Sequence, residues 1–233
     1  MHRGSINETG RPRRDYGRWA ILLAAAQFVG VSIVAMAMYP GGHPWDPQAA
    51  GYSFWRNTIS DLTKSAANNG QPNPAYVAFL ASLAVLAAGM AVAWFRLPRW
   101  FPRWRRLGST CRVLGAVSVA GMIWLAAAPA DTAPHQHVLA IAASAGPGLA
   151  SVALACGAMF LDRACPRWWA VFTLGMLVVS TVSFTHYVHH FWLDGQWPPA
   201  APAVEKLAAL YVLTWLTLSA VIQPRRGAAF EAV

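Results

Sequence analysis

Charge is what this sequence has least of. Only 12% of its 233 residues are Asp, Glu, Lys or Arg, against 56% hydrophobic, and a soluble domain of this size does not carry so apolar a composition. A membrane is the natural solvent. Acid is scarcer than base, with 9 Asp and Glu against 18 Lys and Arg and a net charge of +9. The arginines fall in short clusters between apolar runs, which reads as a topology signal and excludes a nucleic-acid face. Cysteine is nearly absent: Cys111, Cys156 and Cys165 form no CxxC or other ligand spacing. They carry no redox or metal motif and read as small buried hydrophobes. No internal repeat and no stretch polar enough for a soluble domain is visible.

What is present is a series of apolar runs at about 19–39, 75–95, 113–129, 138–161, 168–188 and 205–222. At 1.5 Å per residue they match the roughly 30 Å of a hydrocarbon core. The expected fold is therefore all-α, a polytopic integral membrane protein with a compact bundle of six transmembrane helices over 19–223. A disordered basic tail, 1–18, precedes it and a short tail, 224–233, follows. Ala35-Met36-Ala37 loosely resembles a signal-peptidase site, but the first apolar run is too long for a signal peptide and is kept as a span. Ala and Gly recur in every span and let helices approach closely. Gly146-Pro147-Gly148 is expected to kink or open the fourth helix. Most of the twelve Trp stand at span ends, at headgroup level.

Of the 18 Lys and Arg, 15 lie in the two tails, the loop after the second span and the loop after the fourth. The positive-inside rule then makes both termini cytoplasmic in a cell membrane. The basic, aromatic loop after the second span suits anionic headgroups. The opposite, outer face holds His43, His135, His137, His186, His189 and His190, with Asp46, Asp61, Asp131, Asp194 and Glu205.

Imidazoles and carboxylates gathered on one face are the materials of acid-base catalysis or of a metal site. His186 and His190 stand one helical turn apart and can share a zinc ion with a third ligand such as His135. The bland alternative is that these rings sit at the headgroup boundary, as Trp and Tyr do. In the outer loop, 40–74, the apolar positions 52, 55, 59 and 62 predict a short interfacial helix with Arg56, Asn57, Ser60 and Asp61 on its other faces. Asp61 either pairs with Arg56 or Lys64 or serves a site. Glu205 either favours the dipole of the last helix or faces the bundle as an acid or base.

Ile59-Ser60-Asp61-Leu62 followed by Asn73-Pro74, then Ala128-Pro129-Ala130-Asp131, then His137-Val138-Leu139-Ala140, then Glu205-Lys206 opening the last span, resembles domain-of-unknown-function family 998. These are six-span bacterial and archaeal membrane proteins, more distantly similar to the Frag1, DRAM and Sfk1 group. The resemblance covers about 19–223. It implies Asp61, Asp131, His137 and Glu205 as functional residues but supplies no reaction. Glu-Lys stands here where the family tends to show Glu-Arg.

The leading expectation is a membrane-embedded enzyme acting on a lipid or hydrophobic small molecule, with Asp61, Asp131, His137 and Glu205 as catalytic residues. His186, His190 and His135 are the candidate zinc ligands. Competing expectations are a carrier lined by a broken fourth helix and a structural or assembly subunit that docks a partner through Tyr52, Trp55 or Ile59.

Overall fold

The computed structural model describes residues 15–101, 103–162 and 165–222. Six long helices dominate it: α1 Tyr16–Met38, α2 Tyr76–Arg96, α3 Arg105–Ala127, α4 Pro134–Leu161, α5 Arg167–Trp192 and α6 Ala201–Val221. All six are long and apolar enough to cross a membrane. Each packs on the next in sequence, and α6 returns against α1, so the bundle closes on itself.

Small residues set the closeness of these contacts. A Cβ at Gly89 of α2 would collide with Ala24 of α1, and one at Gly121 of α3 with the backbone of α4 at Ala143 and Ser144. Hydrocarbon solvent gives helices little hydrophobic reason to associate, so intimate packing of this kind supplies the cohesion. Near one end of the bundle the core is aromatic: Trp169 stacks on Phe172 at 5.7 Å and on Trp215 at 6.0 Å. Trp169 is fully buried in this core, so although it stands at a span end its ring is covered by the bundle.

The α1–α2, α3–α4 and α5–α6 connections meet on one face, here the loop face, where Asp131 and Glu205 both bond to the α1–α2 loop. The other, basic face joins the start of α1 to the end of α2. There Arg96 holds Asp15 with both guanidinium nitrogens. Asp15 also caps α1 by accepting from the Arg18 N–H. Residues 15–18 are thus cap and first turn, not part of a disordered tail. The rest of the expected N-terminal tail and the whole C-terminal tail lie outside the described residues.

Three further expectations differ from the structure. The third helix starts at Arg105, eight residues before the apolar run, because arginines can extend a helix into the interface on their long stems; Arg112 lies 5.0 Å over the Phe95 ring. Of the two outcomes expected at Gly146-Pro147-Gly148, a kink or an opening, the opening is excluded: the fourth helix runs unbroken with Pro147 inside it. And no interfacial helix forms over 52–62, where only Ser60–Thr63 makes a 3₁₀ turn. Asn57 Oδ1 takes the Ser53 N–H at 2.9 Å and Asp61 Oδ2 takes the Thr58 N–H at 2.9 Å. These local bonds satisfy the backbone and compete with helix. Ahead of that turn the loop forms an unforeseen antiparallel hairpin, β1 Gly41–His43 and β2 Asp46–Ala50. It needs glycine: Gly42 has φ of 82°, and a Cβ there would meet the backbone of Asn68 and Asn69.

Candidate functional site

The residues 57–66 form the hub of the loop face, gripped from four directions: the rest of the α1–α2 loop, the α3–α4 connection, α6 and α4. Asp61, only 2% exposed, organises the hub from within. Its Oδ1 pairs with Lys64 at 2.7 Å, while Oδ2 accepts from Thr58 N and from Asn57 Nδ2. Fully buried Asn57 also donates to Gly42 O at 2.7 Å, tying the hub to the hairpin. Asn73 holds the far end by donating to Leu62 O and Lys64 O. Of the two partners weighed for Asp61, the structure selects Lys64, and Arg56 instead lies over the Trp45 ring.

Asp131, in the α3–α4 connection, grips the hub at Ser65 and Ala66. Its Oδ2 accepts from Ser65 Oγ at 2.6 Å and from Ala66 N at 3.0 Å, and its Oδ1 from Thr132 N. Partial burial pushes this carboxyl up, but the Ser65 and backbone donors outweigh it and hold the pKa below the usual carboxylate value. Asp131 therefore anchors the loop as an anion.

From α6, Glu205 and Lys206 reach the same segment. Glu205 Oε2 accepts from Ile59 N at 3.0 Å. Lys206 is 3% exposed, and its ammonium donates to the carbonyls of Asn57 and Pro202. The rings of Tyr52 and Phe54 lie 5.4 and 5.3 Å from it. Among the described residues Lys206 forms no ion pair, so carbonyl dipoles and ring quadrupoles compensate its burial. Tyr52 donates to Thr58 O at 2.9 Å. Its hydroxyl stays protonated, since burial and then the Glu205 and Asp61 charges push its pKa up. Burial, then the Asp61 charge, likewise takes Tyr39 up to about 12.

The fourth grip has a different chemistry. His137, in the first turn of α4, is 4% exposed. Its Nδ1 lies 2.7 Å from Ala128 O, an atom that can only accept, so Nδ1 carries a proton and, in the neutral ring, Nε2 keeps its lone pair. That lone pair faces Ser60 Oγ at 3.3 Å. A hydroxyl, an imidazole and an orienting acceptor in sequence form the nucleophile-base-orienter arrangement of acyl-transfer chemistry. Ser60 is partly exposed, on the turn whose backbone meets Glu205.

The four residues implied by the resemblance thus converge on one decapeptide, although up to 144 positions separate them. Their roles divide. Asp61 and Asp131 have their oxygens committed to loop bonds, and only His137 presents an imidazole lone pair to a hydroxyl. Ser60, Asn57 and Lys206 carried no role in the sequence reading: Asn57 and Ser60 were placed on the other faces of a helix that does not form, and Ser60 and Lys206 entered the resemblance only as neighbours of Asp61 and Glu205.

The histidines of α5 lie apart from this hub. His190 Nδ1 lies 3.0 Å from Gly195 O and its ring 4.9 Å from Trp197, whereas His135 is exposed on the first turn of α4. Among the described residues no group of three His, Cys, Asp or Glu is placed to hold a metal ion, so His186, His190 and His135 do not come together as zinc ligands. The three cysteines are buried and free. Comparison of the chain with family models, with curated proteins and with solved structures finds no match.

Proposed function

We propose that this chain is a multi-pass membrane enzyme that cleaves or transfers an ester of a lipid or other hydrophobic substrate, with Ser60 as nucleophile and His137 as general base. The observation that carries the reading is the 3.3 Å approach of Ser60 Oγ to the free Nε2 of His137, whose other nitrogen is fixed on Ala128 O. In the first step Ser60 Oγ bonds to the ester carbonyl carbon and gives its proton to His137 Nε2. The tetrahedral intermediate collapses, the alcohol leaves, and it takes that proton back. Water or an acceptor alcohol then attacks the acyl-serine with His137 again as base, which releases the acid or new ester and restores Ser60. A backbone carbonyl in place of a triad carboxylate orients the ring while adding only a dipole to offset the imidazolium charge.

The positive-inside count supports an orientation with both termini cytoplasmic, which turns the hub toward the outer leaflet of a cell membrane. The carrier alternative relied on an opened fourth helix, and α4 is continuous. The test is labelling of the detergent-purified chain by a fluorophosphonate that reacts with activated serines. Labelling at Ser60, lost in Ser60→Ala and strongly slowed in His137→Gln, is expected. Labelling absent from wild type, or unchanged in both variants, would sink the assignment.

A further inference from the structure

Hydrogen-bond accounting leaves polar groups that the Ser60–His137 pair does not use. Among the described residues, besides Trp94 Nε1 and Trp169 Nε1 in the aromatic core, the buried atoms Ser180 Oγ, His186 Nδ1, Tyr187 OH and Trp197 Nε1 have no hydrogen-bond partner. All four belong to the second half of α5 or to the segment that joins it to α6. Buried polar atoms in folded proteins are almost always paired, so a cluster of orphans marks where something binds.

Their placement follows from helical spacing. Thr173, Ser180 and Tyr187 are seven residues apart, two turns each, and so share one face of α5. Thr173 shows which face, because its Oγ1 accepts from Trp215 of α6 at 3.1 Å. Ser180 and Tyr187 therefore continue along the α5–α6 seam toward the loop face. The Trp197 ring stands edge-on to Tyr187 at 6.5 Å. Tyr187 also lies within electrostatic range of Glu205, the residue that holds Ile59 N beside Ser60. The seam thus runs toward the loop face that also carries the proposed nucleophile.

We propose that the α5–α6 seam binds the oxygenated end of a neutral glycerolipid, its ester and hydroxyl oxygens meeting Tyr187, Trp197 and Ser180. One water cannot serve both hydroxyls, since seven residues of helix separate them by about 10 Å. An elongated ligand with several oxygens can. The donors are uncharged, the Glu205 carboxyl lies within electrostatic range of Tyr187, and the Lys206 ammonium at the same end of α6 is enclosed by carbonyls and rings. These features disfavour a phosphate. As a statement about substrate, this rests on Ser60 acting as nucleophile; as a binding site, it stands by itself.

The experiment uses the full chain in detergent, carrying Ser60→Ala so that ester is not consumed, with dioleoylglycerol as probe and native mass spectrometry as readout. Adding Tyr187→Phe or Ser180→Ala is expected to weaken binding about fivefold each, the worth of one hydrogen bond. The ligand-free melting temperature should be unchanged or higher, because the deleted hydroxyl has no protein partner. Dioleoyl phosphatidic acid should not compete. Binding indifferent to both substitutions, a ligand-free melting temperature that falls with Tyr187→Phe, or equal competition by phosphatidic acid would each overturn the proposal. Binding that depends on Tyr187 while wild type resists fluorophosphonate would leave the seam standing and remove only the esterase reading. Labelled Ser60 with indifferent seam variants would do the reverse.

Discussion

Two neighbouring residues, Ser60 and Asp61, separate chemistry from architecture. Asp61 is buried with three bonds to loop partners, so Asp61→Ala leaves the Thr58 amide unpaired and takes one acceptor each from Asn57 and Lys64, which should cost on the order of 2 kcal/mol. A clear fall in melting temperature checks this. Ser60 has one weak bond, to His137, and Ser60→Ala should leave the melting temperature within about a degree while abolishing fluorophosphonate labelling. Equal destabilisation by both would make Ser60 a loop residue like its neighbour. Acid separates the residues in another way. The Arg96 hydrogen bond lowers Asp15 from 3.8 to about 2, and Asp131 is lowered too. A depressed carboxyl adds stability that is complete above its unfolded pKa and lost as pH falls through the folded one. The docking of α1 on α2 should therefore hold constant above about pH 4 and weaken toward pH 2. Amide exchange of Arg18, whose N–H caps onto Asp15, reports it, and an Asp15→Asn variant should lose that pH dependence.

Elements differed in how plainly the sequence announced them, and solvent explains why. Six apolar runs were legible as helices because a bilayer demands internally satisfied backbone, a constraint that overrides local preference. α4 stays helical through Gly146-Pro147-Gly148, since the long apolar runs on both sides keep the backbone paired within the helix. Pro147→Ala should consequently not lower the melting temperature, since it returns an N–H to the Ala143 carbonyl. By contrast Gly121→Val should lower it markedly, because its side chain would enter the α4 backbone. The hub was not legible. Its shape comes from Asn57, Asp61 and Asn73 bonding to backbone across the loop, and an apolar period at 52, 55, 59 and 62 imitated a helix that those bonds replace. Asp61, Asp131, His137 and Glu205 could be singled out as ionisable residues on one face. Their common target could not, because it consists mostly of main-chain N–H groups and two serine hydroxyls that carry no signature in a sequence.

At the scale of the whole molecule, the ring of helices has two unlike ends. One carries the hub, His137 and the α5–α6 seam; the other carries the Asp15–Arg96 pair and the connections rich in arginine. Which end meets which compartment decides whether an esterase here would see outer-leaflet or cytosolic lipid. The charge asymmetry predicts that the hub faces outward, and the native cysteines make a direct test clean, since Cys111, Cys156 and Cys165 are all buried. New cysteines at exposed Gln48, on the hairpin, and exposed Arg103, before α3, would report the two ends. In intact cells a membrane-impermeant maleimide should label Gln48→Cys at once and Arg103→Cys only after permeabilisation. The opposite pattern would place the hub in the cytosol and move any substrate to the inner leaflet, while the Ser60–His137 geometry would be unaffected. Labelling of both sites in intact cells would mean that one end of the bundle is not separated from the other by a membrane, and the six-span reading itself would fall.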